Sequence, residues 1–246
     1  MYAMRMFGLS RDQLKYIAFF CMVCDHAACL FLSSDMLAYQ ILRFWIGRIA
    51  YPLFAVLFAE GFFYTRNRLV HIRDLLLFGL LSEPFFDYVT GSRHLWVDFE
   101  QQNVLWSFAF CSLLLCLLDR IFQAWTENVL ESRMEQGLLS VGLIVVFAWC
   151  AWKLRLDYQA IGVLCVVVVY FLLRTEPTLP LYYPGFLVAV TVSVASMTPG
   201  ALFVPLLLLF YRKKNGRPTM RWKKYGFYLA YPGHLALLAF LSLLFF

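Results

Sequence analysis

Six ionisable side chains lie inside long apolar stretches of the sequence, and their types suit proton transfer. They are Asp25, His26, Arg48, Glu83, Asp87 and His234. An imidazole near a carboxylate can accept a proton from an attacking amine or hydroxyl near neutral pH. A charge at the centre of a bilayer costs about 2.5–3.5 kcal/mol on insertion scales, so a chain keeps one where it faces the interior and has partners. These six residues form the candidate site.

The depth of three of these groups predicts that they converge. On the predicted helices, His26, Arg48 and Glu83 each lie about seven residues from the outer helix end, or roughly 10 Å at 1.5 Å per residue. Asp87 is one turn above Glu83 on the same face. Asp25 points about 100° away from His26. We therefore expect Asp25 to hold Arg48, and Glu83 or Asp87 to reach His26.

Two other interpretations of these groups need weighing. An ion-pair network could merely lock the helices together, but three acids against one arginine leave an unbalanced titratable group, which favours proton transfer. The spacing Cys21-x-x-Cys24-x-His26-x-x-Cys29 resembles that of zinc ligands. On a continuous helix, however, Cys24 and Cys29 face away from His26, so no metal site is expected.

The composition indicates that the chain lies in a membrane and not in water. Hydrophobic residues make up 62% of the 246 positions and charged residues 15%, whereas soluble domains contain about 45–50% and about 25%. Mean hydropathy is +0.71. All seven cysteines lie in apolar stretches, which is typical of packing residues and not of a disulfide framework.

The apolar stretches predict an all-α, polytopic transmembrane helical bundle with about nine spans, forming a single domain over residues 1–246. The spans are Leu14–Ser33, Ile41–Tyr64, Asp74–Thr90, Val104–Phe122, Gly137–Trp152, Ala160–Leu173, Leu181–Ser196, Leu202–Tyr211 and Gly226–Phe246. Pro199-Gly200 interrupts residues 181–211, so that region is either two short tilted helices or a re-entrant hairpin. Asp25 and His26 interrupt the first stretch, which favours a retained helix over a cleaved signal peptide.

The positive charge predicts the orientation in the membrane. The formal net charge is +6, and basic residues collect in 66–73 and 212–224. With nine spans these segments share one side with the N-terminus, so the positive-inside rule puts the N-terminus in the cytoplasm and the C-terminus outside. Basic segments beside spans indicate topology and contact with membrane lipids. We expect no nucleic-acid partner, because no groove-reading element accompanies them.

Short blocks along nearly the whole chain resemble a known family. They are Leu14-Lys15-x-Ile17 before Asp25-His26, Ile46-Gly47-Arg48-Ile49-Ala50-Tyr51-Pro52, Ala59-Glu60-Gly61-Phe62 with Thr65-Arg66-Asn67, Ser82-Glu83-Pro84-Phe85-Phe86-Asp87, Asn103-Val104-Leu105, Asp157-Tyr158 and Tyr231-Pro232-Gly233-His234-Leu235. As an ordered set they resemble the TraX family, whose founding member is associated with N-terminal acetylation of conjugative pilin.

The resemblance implies acyl transfer, with acetyl-CoA as co-substrate, in a bacterial inner membrane. It implies that His26 is the general base or a transient acyl carrier, surrounded by Asp25, Arg48, Glu83 and Asp87. The acceptor would be a protein N-terminus, a glycan or a lipid.

The donor's phosphates suggest a second group of site residues, mostly in the predicted cytoplasmic loops. The predicted donor-binding residues are Arg66, Asn67, Arg68, Arg73, Arg212, Lys213 and His234. Basic side chains bind phosphate through charge-assisted hydrogen bonds. The same loop residues are equally consistent with topology signals alone.

Two other classes of protein would use the same residues differently. A proton-coupled transporter would use the intramembrane acids, His26 and the proline-broken helices without a cofactor, although internal repeats typical of transporters are not seen. An assembly factor would scaffold another membrane protein and would not need His26.

Overall fold

The computed structural model describes residues 8–91, 95–126, 133–212 and 221–245, and within these ranges the chain is helical without strands. The prediction of an all-α helical bundle is confirmed. The described ranges contain nine helices: α1 Arg11–Phe31, α2 Leu37–Phe62, α3 Arg68–Thr90, α4 Val104–Thr126, α5 Arg133–Lys153, α6 Gln159–Thr175, α7 Tyr182–Ser196, α8 Gly200–Leu209 and α9 Arg221–Phe245.

Local capping signals fix where several helices begin. The Ser10 side chain accepts a hydrogen bond from Gln13 N–H while the Gln13 side chain accepts from Ser10 N–H, a capping box that starts α1. Asn67 accepts from Val70 N–H at 3.0 Å and starts α3. Asn103, fully buried, accepts from Leu105 N–H at 2.9 Å at the start of α4.

Five helices are long and apolar enough to cross a membrane: α1, α2, α4, α5 and α9. Helix α3 spans 23 residues but carries several charges. Helices α6 and α7 have 17 and 15 residues, and α8 is shorter still. At 1.5 Å per residue α7 is about 22 Å long, less than the roughly 30 Å hydrocarbon core. The chain is a membrane protein, while the nine crossings stay a prediction.

The uncertain region around Pro199 forms two short helices, α7 and α8, that pack against each other. The start of α8 lies directly on α2. A Cβ added at Gly200 would collide with the carbonyl oxygens of Phe44 and Trp45. Glycine is therefore required there, because any side chain would separate the two helices.

Two isolated bridges mark opposite ends of the bundle. Leu9 N–H donates to Phe210 O at 2.7 Å, and Arg212 N–H donates to Leu9 O at 2.8 Å. At the other end Gln102 N–H donates to Arg155 O at 2.9 Å. We call the end with Leu9 the inner end and the end with Gln102 the outer end. The N-terminal segment and the end of α8 share one end, as the charge pattern predicts; which end faces the cytoplasm stays a prediction.

Four helices surround the centre of the molecule. Helix α1 packs on α2, and α3 packs on α9, with α1 also contacting α3 and α9. Helices α4 and α6 pack behind α3 and α2. Fully buried leucines, including Leu14, Leu53, Leu114 and Leu235, fill the spaces between them. The polar groups of the candidate site are held on this apolar frame.

Candidate active site

Two histidines face each other in the middle of the bundle. His26 of α1 and His234 of α9 are only 6% and 9% exposed. His26 Nδ1 lies 2.9 Å from His234 Nε2, and the two rings are nearly parallel, at 8°. The edges or faces of Phe19, Phe86 and Tyr231 surround the pair, with ring centroids 5.2, 6.0 and 5.4 Å from the nearer imidazole.

The hydrogen bonds of this pair determine where the protons are. His234 Nδ1 lies 3.1 Å from Ala230 O, and a carbonyl oxygen only accepts, so Nδ1 of His234 carries the proton. A second proton on His234 would create a buried cation, so its Nε2 is an acceptor. His26 Nδ1–H therefore donates to His234 Nε2. The lone pair of His26 is left on Nε2, which among the described residues receives no hydrogen bond.

Asp25 has a different partner from the one predicted. Its carboxylate lies 3.3 Å from Arg43 of α2, not against Arg48. The cause is local: α2 contains a π turn at Ile41–Ile46, and one extra residue in the turn rotates the following side chains. A Cβ added at Gly47 would lie 2.7 Å from Asp25 Cβ, so glycine lets α1 and α2 approach here. Arg43 was not among the predicted site residues, although it lies in the predicted second span.

Arg48 points instead towards the loop between α5 and α6. Its Nη1 donates to Tyr158 Oη at 3.1 Å, and the Tyr158 ring stacks on Tyr51 with centroids 3.8 Å apart. Next to it, Asp157 accepts from Gln101 Nε2 at 3.0 Å. Burial raises the pKa of Asp157 to about 7, an effect that the nearby Arg48 charge only partly opposes. Asp157 and Tyr158 thus belong to the site region, which only their presence in a family block could have suggested.

Glu83 and Asp87 contact α4 and the loop before it, not His26. Glu83 accepts from Trp106 Nε1 at 2.9 Å and from Asn103 Nδ2. Asp87 accepts from the backbone N–H of Asp98 at 2.8 Å and so holds that loop on the bundle. The expectation that one of these acids would pair with His26 is wrong, because the α3 face towards α1 presents Phe86 instead.

Three charged side chains of the candidate site each keep one buried polar atom without a hydrogen-bond partner among the described residues. The atoms are Asp25 Oδ1, Arg48 Nε and Glu83 Oε1. Asp25 adjoins His26 in sequence, Glu83 lies one turn before Phe86, and Arg48 follows the glycine that touches Asp25. A buried polar atom without a partner costs about 1–3 kcal/mol. Each of these three side chains therefore keeps one hydrogen-bonding position open.

The predicted donor-binding residues are not gathered in one place. Arg68 forms an ion pair with Asp119 at 2.6 Å, Arg73 pairs with Asp74 at 2.8 Å, and Asn67 caps α3. His234 lies in the histidine pair, far from the loops. Arg66 and Arg212 are exposed, and the side chain of Arg212 covers Gly8. Lys213 lies outside the described residues.

Comparison with known proteins identifies the family of the chain. No solved structure matches the chain. A curated relative from Dichelobacter nodosus, described as "Probable fimbrial assembly protein FimC, serogroup H1", is 32% identical over 253 residues, covering 95% of this chain and 96% of that protein. The TraX family, described as "TraX protein", matches residues 10–242. This match includes His26, Arg48, Glu83 and His234, and the chain belongs to the TraX family.

Proposed function

We propose that this TraX-family chain is a membrane-embedded acyltransferase that moves an acetyl group from acetyl-CoA to an amine or hydroxyl. One observation carries the proposal: His26 Nδ1 lies 2.9 Å from His234 Nε2 in the buried centre of the bundle, and the other ring nitrogen of His26 has no hydrogen-bond partner among the described residues. The contact with His234 links α1 to α9 and uses one nitrogen, while acyl transfer needs a base such as the other for the acceptor's proton.

The proposed reaction uses His26 twice. As the acceptor nitrogen or oxygen attacks the thioester carbonyl carbon, the new C–N or C–O bond forms and the acceptor's proton moves to His26 Nε2. When the C–S bond breaks, that proton moves to the leaving thiolate. In between, His26 is an imidazolium whose Nδ1–H still donates to His234 Nε2. His234 thereby stabilises the charged form and keeps the ring oriented.

The unpartnered atoms match the proposed acceptor. Asp25 Oδ1 and Glu83 Oε1 can accept hydrogen bonds from an incoming ammonium or amine, and Arg48 Nε can donate to a carbonyl oxygen. A protein N-terminus offers both kinds of group next to each other. Because the relative is named for fimbrial assembly, we propose the N-terminal amine of a membrane-inserted fimbrial subunit as the first acceptor to test, before a glycan or lipid.

A proton-coupled transporter is the other candidate function, because it would use the same acids and histidines. It requires a path for protons through both halves of the bundle. Among the described residues, three buried carboxylates of the inner half are engaged with cations: Glu60 with Arg11, Asp74 with Lys224 and Asp119 with Arg68. This distribution favours the transferase.

The test is coenzyme A release from acetyl-CoA by purified protein supplied with fimbrial subunits or a membrane extract. We expect His26→Gln to lower the rate about 10²–10⁴-fold, the usual contribution of a general base, without loss of folded protein. Ser140→Ala, which removes a buried hydroxyl of α5, is the matched control and should retain the wild-type rate.

Two outcomes would overturn the proposal. Release that persists in folded His26→Gln would exclude His26 as the base. No release by wild type with any acceptor, together with proton-dependent uptake into vesicles, would identify the transporter.

A further inference from the structure

A row of side chains on α1 connects the inner end of the bundle to the histidine pair. Lys15 and His26 are 11 residues apart, which on an α-helix is about 20° of rotation and about 16 Å of rise. Lys15 Nζ lies 5.7 Å from the centre of the Phe227 ring of α9. Phe19 then contacts both Phe227, at 6.0 Å, and His234, at 5.2 Å. The contacts run without a gap from Lys15 to His26.

Lys15 differs from the other basic residues at this end. It is half-buried, and among the described residues no carboxylate lies within ion-pair distance of it. By contrast, Arg11 pairs with Glu60 at 3.6 Å, and Lys224 pairs with Asp74 at 2.8 Å. Asp12, on the preceding turn of α1, forms no ion pair with Lys15 either. The ammonium of Lys15 is therefore a partly desolvated charge that contacts no carboxylate directly among the described residues, and Asp12 and Glu60 act on it only from beyond ion-pair distance.

A partly buried ammonium without a counter-ion is costly, and an anionic ligand removes that cost. The aromatic edges of Phe19 and Phe227 separate this charge from the reaction centre. The inner end of the row is thus suited to the charged end of a ligand, and its outer end to the reacting end.

We propose that Lys15 binds the phosphates of the acyl donor, whose flexible arm then follows the α1–α9 row to His26. This inference rests on the proposed function and names its donor site. The separation of about 16 Å along α1 selects the class of donor. A coenzyme A thioester carries its phosphates at the far end of a long extended arm, whereas a small acyl phosphate could not occupy both ends of the row.

The proposal replaces exposed loop cations with a half-buried one. Arg66 and Arg212 are exposed and would hold a phosphate in high dielectric, where a charge pair contributes little. Arg68 and Arg73 are already engaged with Asp119 and Asp74. Lys15 was not among the residues predicted from the sequence, because it lies within a helix and not in a basic loop.

The experiment measures coenzyme A binding to the purified chain in nanodiscs of zwitterionic lipid, and then the KM for acetyl-CoA. We expect Lys15→Gln to weaken coenzyme A binding and to raise KM about tenfold, the size of one lost hydrogen bond to a charged group. The kcat should change far less, and Lys15→Arg should restore binding. Lys153→Gln is the matched control: Lys153 lies over the Trp152 ring at 4.6 Å, at the outer end of α5, and should bind like wild type.

The outcomes separate this inference from the proposed function. If wild type binds coenzyme A and folded Lys15→Gln binds it equally well, the donor site is elsewhere while the transferase proposal stands. If wild type does not bind coenzyme A in any lipid, the proposed donor fails and this inference fails with it. An effect of Lys15→Gln that appears only in nanodiscs containing phosphatidylglycerol would assign Lys15 to a lipid phosphate and overturn the donor assignment.

Discussion

Two clusters of buried charge in this chain look alike in composition and differ in how completely they are paired. In the inner half, Asp119 of α4 accepts from Arg68 of α3 and Arg174 of α6, both at 2.6 Å, and from Tyr170 Oη. Both of its carboxylate oxygens are used. The guanidinium of Arg174 also lies 4.1 Å from the Phe122 ring centre. This cluster ties three helices together.

At the candidate site, three charged groups are only half satisfied. Asp25 and Glu83 use one carboxylate oxygen each and leave the other buried without a partner, and Arg48 leaves Nε in the same state. Buried charge alone therefore does not distinguish a structural cluster from a functional one in a membrane. The unsatisfied atoms make the distinction, because they carry a cost that a ligand can remove.

The largest effect expected from this comparison is on stability. Asp119→Asn leaves two arginines without their carboxylate, and breaking a buried pair in this way costs about 3–5 kcal/mol. We expect a much lower unfolding temperature in detergent, with normal transfer activity per folded molecule. Glu83→Gln is the comparison variant and should unfold close to wild type, since one Glu83 oxygen is already unpaired. A stable but inactive Asp119→Asn would place Asp119 in the active site and end the distinction.

The next effect is on rate and tests the proton arrangement of the histidine pair. In His234→Gln an amide oxygen can reach the position of Nε2 and accept from His26 Nδ1–H, whereas His234→Met fills the space without an acceptor. We expect kcat to fall about tenfold or less in the first and about 10²-fold in the second, the lower range for general-base catalysis. Equal losses in both would show that His234 acts through packing or binds substrate directly, and not by orienting His26.

How far the site could be predicted depends on which geometric quantity is asked for. The depth of a residue along a helix follows from counting at 1.5 Å per residue, and Phe86, one turn after Glu83 on α3, does contact His26. Which side chains become partners depends on their rotation about the helix axis, and each residue turns the helix by 100°. The π turn at Ile41–Ile46 places Arg43, and not Arg48, next to Asp25, and no pattern in the sequence reveals this change of partner. His234 was predicted as a site residue but its contact with His26 was not, since that contact is fixed by how α9 packs.

The fold class was predictable because composition decides between water and lipid. The number of crossings was not, because it depends on how short helices lie in the bilayer. Helix α8 is held by a backbone contact at Gly200, which the sequence signals only as a break. The predicted donor-binding residues do not gather for a related reason: Arg68 and Arg73 pair with carboxylates of their own, which a cluster of charge in a sequence does not reveal.

The smallest effect expected is on the pH dependence of stability, and it tests whether Arg48 forms an ion pair with Asp157. Burial raises the pKa of Asp157 from 3.8 to about 7, so the folded state binds this proton more tightly than the unfolded state. The sign follows: the stabilisation is complete below about pH 4 and is lost as the pH rises through about 7. Because Asp157 is partly exposed, we expect a fall of only roughly 2–4 °C in unfolding temperature, as for about 1 kcal/mol.

Asp157→Asn should remove this fall, since its amide oxygen can still accept from Gln101 but does not titrate in this range. Thermal unfolding of both proteins from pH 5 to pH 8 makes the measurement. The opposite sign, with wild type becoming more stable relative to Asp157→Asn as the pH rises, would mean that an Asp157 carboxylate pairs with Arg48. In that case Arg48 would already have its counter-ion, as Arg68 has in Asp119, and only Asp25 and Glu83 would remain to hold the acceptor.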